Sequence, residues 1–299
     1  ESLRLLINDL NPICFVLLPY NKNMIVPILL LGVSIIAGFV GAMSGMGGGV
    51  VLVPILTLLG VDIKHAIAVS MLSVIATSSG SASAYVRDSL SNIKVGMFLE
   101  MFTIVGAIIG AMITVASAAH FIFVIFGVVL LGSWLALFMQ RERMVTEVKV
   151  QDRLSKFLEL DGSYFDKPTN TMVTYQGTRA HIGGPLMFLA GLIAGMLGIG
   201  AGALKVLIHD LVMGLPPKVS TTTSNFIIGV TALAGSSIYL SSGLIRPELA
   251  VSIVLGVVIG SLFGARVLPQ LSNRAVRAFF LVVLLTLATE MILKGVGVL

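Results

Sequence analysis

Two glycine-rich stretches interrupt long apolar runs: "SGMGGG" (Ser44–Gly49) and "GIGAG" (Gly198–Gly202). Inside a helix each glycine costs about 1 kcal/mol relative to alanine, so both stretches read as breaks. A broken helix leaves N–H groups unpaired, with partial positive charge that suits an anion. Glycine also lets a ligand approach the backbone closely. The chemistry these residues could do is oxyanion binding, by Gly45, Gly47, Gly48 and Gly49 together with Gly198, Gly200 and Gly202. Close helix packing through small residues explains the same glycines without a ligand. Neither stretch is a nucleotide motif, because no Lys-Ser/Thr follows and the spacing departs from the dinucleotide fingerprint.

Lys205, in "GAGALKVLI", follows the second stretch. A lysine at membrane depth is costly and marks a functional position by default. It could offset an anion's charge; snorkelling, or a pair with Asp210, would explain it without a ligand. Hydroxyl clusters "AVSMLS" (Ala68–Ser73) and "STTTSN" (Ser220–Asn225) add hydrogen-bond donors that bring no full charge. Helix capping accounts for Ser220 and Thr221, whereas Ser70, Ser224 and Asn225 lie deeper and are expected to line the site. Glu100, His209 and Asp210 are candidate proton-coupling groups; Glu290 is read instead as a surface pair with Lys294, four residues on. His209 and Asp210 are placed near a helix end, at the membrane interface. His65, His120, His181 and His209 show no metal-ligand spacing, Cys14 stands alone, and no nucleophile motif appears. No enzyme, cofactor or metal is expected.

Hydrophobic residues make up 57% of the chain and charged residues 11%, with a mean hydropathy of +1.04. A soluble domain carries about 25% charged residues, so the expectation is an all-α polytopic membrane protein. The net charge of +5 sits in short loops and fits contact with anionic lipid headgroups better than with nucleic acid. Residues 1–23 are expected to lie at the interface, since they are too polar to span and lack the order of a signal peptide. Residues 24–139 form a first transmembrane repeat, 140–182 a charged linker loop and 183–299 a second repeat. The linker is expected to be solvent-exposed, with one short helix near Gln151–Leu160. Its basic residues, and those of the Arg266–Arg277 loop, put both on the cytoplasmic side of the membrane.

The two halves match in order. Gly38, Met43, Gly45, Gly47 and Gly49 fall on Gly191, Met196, Gly198, Gly200 and Gly202; Ser70, Thr77 and Tyr85 fall on Ser224, Thr231 and Tyr239; Gly106 and Gly110 fall on Gly260 and Gly264. Repeated halves are a transporter plan. The runs Val50–Gly60 and Ala203–Gly214 would be only roughly 17–18 Å long as helix, against a hydrocarbon core of about 30 Å. Each half is therefore expected to hold a glycine-tipped re-entrant hairpin plus three crossings, which inverts the second half and brings the two glycine turns together near the midplane.

The stretches "GFVGAMSGMGGGVVLVPIL" and "GMLGIGAGALKVLIHDLVMGLPPKVSTTTSNFIIGVTALAGSSIYL" resemble the two halves of the TauE/SafE sulfite exporter family, in a subgroup with Lys after the second glycines. The resemblance runs from about Ile25 to Leu293, the linker aside. It implies a bacterial or archaeal inner-membrane transporter of small sulfur-containing anions such as sulfite, thiosulfate or organosulfonates. Departures at Val69-Ser70, Gly200-Ala201-Gly202 and Leu207 bear on the choice of substrate. Two other readings fit the residues: an anion channel of the same fold, and a membrane scaffold or sensor that uses the linker to hold a partner.

Overall fold

The computed structural model describes residues 25–44, 47–139, 151–166, 170–267 and 273–296. The expected interfacial segment 1–23, Gly45 and the linker residues 140–150 lie outside them. The first half comprises α1 (Ile25–Ser44), α2 (Gly49–Leu58), α3 (Ile63–Arg87), α4 (Ile93–Ala116) and α5 (Ala119–Met139). The linker holds α6 (Arg153–Phe157) and strands β1 (Asp161–Asp166) and β2 (Thr171–Gln176). The second half comprises α7 (Ala180–Leu197), α8 (Gly202–Leu207), a π-helical turn (Ile208–Val212), α9 (Pro217–Ser241), α10 (Pro247–Val267) and α11 (Asn273–Gly295). Each apolar run became a helix, and the glycine stretches separate α1 from α2 and α7 from α8. Among the described residues, five helices are long and apolar enough to cross a membrane: α3, α4, α7, α9 and α10.

Hydrogen bonds sort the helix ends onto two faces. On the linker face, Asn92 N–H donates to Thr223 Oγ1 at 2.9 Å and the Thr222 hydroxyl donates to Leu90 O at 2.8 Å. The start of α3 meets the α9–α10 turn on the far face, where His65 Nδ1 lies 2.8 Å from Leu244 O. Lys64 donates there to Val115 O near the end of α4, and Lys294 to Thr57 near the end of α2. Thr178 N–H donates to Met213 O at 3.0 Å. The chain before α7 and the chain after the π-turn therefore meet on the linker face.

Glycine makes the tightest crossings. The helix α1 packs on α10, and α7 packs on α4. A Cβ on Gly260 would lie 1.9 Å from Ile35 O, and one on Gly38 2.3 Å from Val257 O. At the other crossing the distances are 2.2 Å from Gly106 to Phe188 O and 2.3 Å from Gly191 to Thr103 O. No side chain fits there, so backbones touch and gain dispersion contact that a larger residue would forbid.

Two buried tyrosines staple these crossings to their neighbours. Tyr85 donates to Ala42 O at 3.0 Å and Tyr239 to Gly195 O at 2.6 Å. Ala42 O also accepts from Asn225 Nδ2 at 2.7 Å. Tyr239→Phe is therefore expected to cost about 1–2 kcal/mol and Tyr85→Phe less, because Ala42 O keeps a second side-chain donor. Thermal unfolding of both purified variants checks the order.

The linker corrects two expectations. The fold is not purely α-helical, because β1 and β2 form an antiparallel hairpin with Tyr164 opposite Val173 and Gly162 opposite Tyr175. Tyr164, Phe165, Thr171, Val173, Thr174 and Tyr175 are the aromatic and β-branched residues that suit these strands. The linker is also not simply solvated: Leu160, Tyr164 and Tyr175 are buried against the helix ends. The expected helix near Gln151–Leu160 exists, shortened to α6. Lys218 pairs with Asp166, Lys94 with Glu159, and Asn92 Nδ2 donates to the Tyr175 hydroxyl at 3.2 Å.

Asp152 anchors this unit by capping α6. It accepts from the Ser155 hydroxyl and from Arg179 N–H, both at 2.5 Å. Burial alone would raise its pKa, but the bonds from Ser155, Arg179 and His181 outweigh that and hold it below the ordinary carboxylate value. A depressed folded pKa gives stability that is present at neutral pH and lost as pH falls through the folded value. Asp152→Ala is expected to cost about 1 kcal/mol at neutral pH and to speed proteolytic cutting between α6 and α7. The difference should vanish in acid.

Candidate functional site

The two glycine turns touch. Gly47, Gly198 and Gly200 have φ of +76°, +69° and +66°, a left-handed backbone that glycine adopts at no steric cost. A Cβ on Gly49 would fall 2.3 Å from Gly198 O. Ser70 reaches across to donate to Gly198 O at 2.8 Å. Gly48 N–H donates to Thr77 Oγ1 at 3.2 Å. The open sides of Gly47 and Gly200 face the side chains of Val74 and Ile228.

One helical turn beyond the second glycine turn, α8 carries Lys205 into the interior. Lys205 is 0% exposed and Glu100, on α4, 4%. Their charged groups lie 3.5 Å apart. Thr231, on α9, bridges them: its hydroxyl receives the Lys205 ammonium and donates to Glu100 Oε1 at 2.6 Å. Thr103 donates to Glu100 Oε2 at 2.5 Å. Removing two charges from water costs several kcal/mol per ion, and only good geometry with added hydrogen bonds offsets it. Here both hydroxyls supply those bonds.

The cluster breaks the likeness of the halves. Lys205 stands three residues after Gly202; Leu52 stands three after Gly49. Glu100 stands six residues before Gly106; Val254 stands six before Gly260. The matched threonines also divide their work, Thr77 holding a glycine turn and Thr231 bridging an ion pair.

Other expected site residues take separate places. Ser224 lies 3.5 Å from Gly202 O, and the Asn225 amide bonds Ala42 O. Asn225 Oδ1 is buried without a hydrogen-bond partner among the described residues. Lys205 pairs with Glu100, whereas a pair with Asp210 was one expectation; the π-turn carries Asp210 past the cluster. His209 is fully buried, with Nδ1 3.3 Å from Ser220 O near the start of α9. The α9 N-terminus has no side-chain cap, and Ser220 donates instead to Leu215 O at 3.4 Å. Glu290 pairs with Lys294 at 3.4 Å as expected, but both side chains are largely buried and not on the surface. Thr103 and Thr231 are the residues sequence reasoning missed. Glu100 and Thr103 sit three apart on one helix face, a spacing that could have flagged a polar patch.

A multi-pass helical bundle with a buried ion pair beside two broken helices is the architecture of a membrane transporter. The chain belongs to the sulfite exporter TauE/SafE family, whose profile matches residues 30–291. This is a family of membrane transporters and not of enzymes. The chain is 27% identical to the probable membrane transporter protein YunE of Bacillus subtilis, over 90% of this chain and 98% of that protein. It is 26% identical to the probable membrane transporter protein YdhB of the same bacterium, over 81% and 89% of the two chains. It is also 32% identical to sulfite exporter TauE/SafE family protein 6 of Arabidopsis thaliana, over 38% of this chain and 28% of that protein. No solved structure matches.

Proposed function

We propose that this protein is a secondary transporter that moves small sulfur-containing oxyanions across the cytoplasmic membrane by alternating access. The observation that carries the reading is Lys205: a cation with no solvent exposure, one turn from two touching glycine breaks. The sulfite exporter family name supports a sulfur anion as substrate. Sulfite, thiosulfate and organosulfonates share a compact oxyanion group that the Lys205 ammonium can hydrogen-bond, with the Thr231 hydroxyl beside it.

The two halves are inverted in this reading. The α7–π-turn segment enters and leaves on the linker face, as the Thr178–Met213 bond supports. The α2 helix ends on the far face, beside Lys294. The paired crossings of α1 on α10 and α7 on α4 support the same two-fold relation. Rocking one half against the other would expose the turns to each side alternately. The linker face is cytoplasmic, from its basic residues.

A thermal-shift panel of sulfite, thiosulfate, methanesulfonate, sulfate and acetate on the purified protein tests this. The sulfur oxyanions should raise the melting temperature and acetate should not. No shift with any sulfur oxyanion would contradict the reading.

A further inference from the structure

Lys205 is not free to hold an anion while Glu100 is ionised. The ammonium and carboxylate neutralise each other, and the Thr231 and Thr103 hydroxyls complete the carboxylate's bonds. An oxyanion entering this cluster would leave one uncompensated negative charge in a dry site, which costs several kcal/mol. A proton on Glu100 without an anion would leave one uncompensated positive charge, at similar cost. Two states are balanced: ionised Glu100 paired with Lys205, or protonated Glu100 with the anion on Lys205. The two threonines serve both states, because a hydroxyl that donates to a carboxylate can turn and accept from a carboxylic acid.

Resting on the anion-transporter reading above, we propose that Glu100 is the proton carrier: one proton bonds to its carboxylate as each anion binds Lys205, and leaves when the anion leaves. A monovalent anion then crosses with no net charge, and a divalent one carries a single negative charge.

The surroundings of Glu100 favour this assignment over other groups. On α4 itself, Lys94 is tied to Glu159. From α7, His181 lies at the helix start beside Asp152. On α9, Lys218 pairs with Asp166 and Tyr239 bonds Gly195 O. On α3, Lys64 and His65 bond far-face carbonyls, Tyr85 bonds Ala42 O, and Arg87 lies beside Asp88 at the linker-face end. Past Lys205, the π-turn presents Asp210 and His209, and no hydrogen bond joins His209 to Glu100 among the described residues.

The test titrates purified full-length protein with thiosulfate and with methanesulfonate, whose own charges do not change across the physiological pH range. In weak buffer the wild type should take up one proton per anion bound, and its Kd should fall about tenfold per unit drop in pH while Glu100 is ionised in the free protein. Glu100→Gln should bind the anion with no proton uptake and a Kd flat in pH. The same substitution should lower thermal stability without anion and restore it with anion, because it leaves Lys205 uncompensated. His209→Gln should keep the uptake; loss of uptake there would move the role to His209 and overturn the assignment. Wild-type binding without proton uptake, which needs no variant to fold, would also overturn it. Failure of the wild type to bind either probe at any pH would sink the anion reading, and the coupling with it.

Discussion

Lys205→Ala should abolish anion transport and destabilise the protein by about 3 kcal/mol. The first effect follows from removing the buried positive charge that Lys205 places beside the glycine turns. The second follows from what remains: Glu100, still buried, loses the cation that compensates it and must take a proton or stay charged without a partner. Breaking a buried pair from one side costs about 3–5 kcal/mol, whereas replacing both members by neutral groups of similar volume is often harmless. The double variant Lys205→Met with Glu100→Gln should therefore recover most of the melting temperature and none of the transport. That split separates a charge held for a ligand from one held for the fold. If the single variant transports normally, Lys205 is a structural ion-pair member only.

Gly110→Leu should prevent stable folding, or cost at least about 3 kcal/mol if the bundle survives. At Gly110 a Cβ would sit 2.0 Å from Leu192 O and 3.0 Å from Met196 N. The obstacle is α7 backbone, so no rotamer change relieves it, and α4 must move off α7. Overpacking a core ordinarily costs about 1–3 kcal/mol; displacement of a whole helix crossing puts this case at or beyond the upper end. The shift would also carry Glu100 away from Lys205, since the two sit on α4 and on the helix that follows α7. Gly32 is the control: nothing lies within 4 Å of its Cβ position, so Gly32→Leu should be tolerated and even favoured by helix propensity. Detergent-solubilised expression and unfolding temperature of the pair decide the matter.

Much of the architecture was legible because membrane helices announce themselves. Apolar runs bounded by Gly, Pro and polar residues set every long helix to within a few residues, as at Ile93–Ala116 and Pro247–Val267. The glycine pattern also foretold contact: Gly49 and Gly198 touch. The hairpin at Asp161–Gln176 was not legible from charge counting, because its stability comes from Tyr164 and Tyr175 packing on helix ends supplied by distant parts of the chain.

The centre of the site was half legible. Lys205 and Glu100 each stood out as charges at membrane depth, but 105 residues separate them and no local pattern joins them. Their pairing depends on how α4 crosses α7, which is set by the glycine contacts at Gly106, Gly110, Gly191 and Gly195. Thr231 was visible only as the repeat partner of Thr77. Its bridging role exists because each charge occurs in one half only: Glu100 in the first, where the second has Val254, and Lys205 in the second, where the first has Leu52.

Uptake of radiolabelled thiosulfate into proteoliposomes, compared between wild type and Lys205→Ala at equal reconstitution, tests most directly whether this is an anion transporter built around Lys205. Wild type should accumulate the anion, faster with an inward proton gradient, and Lys205→Ala should match empty vesicles. Equal uptake by both proteins, or none by a wild type shown to be folded, would contradict it.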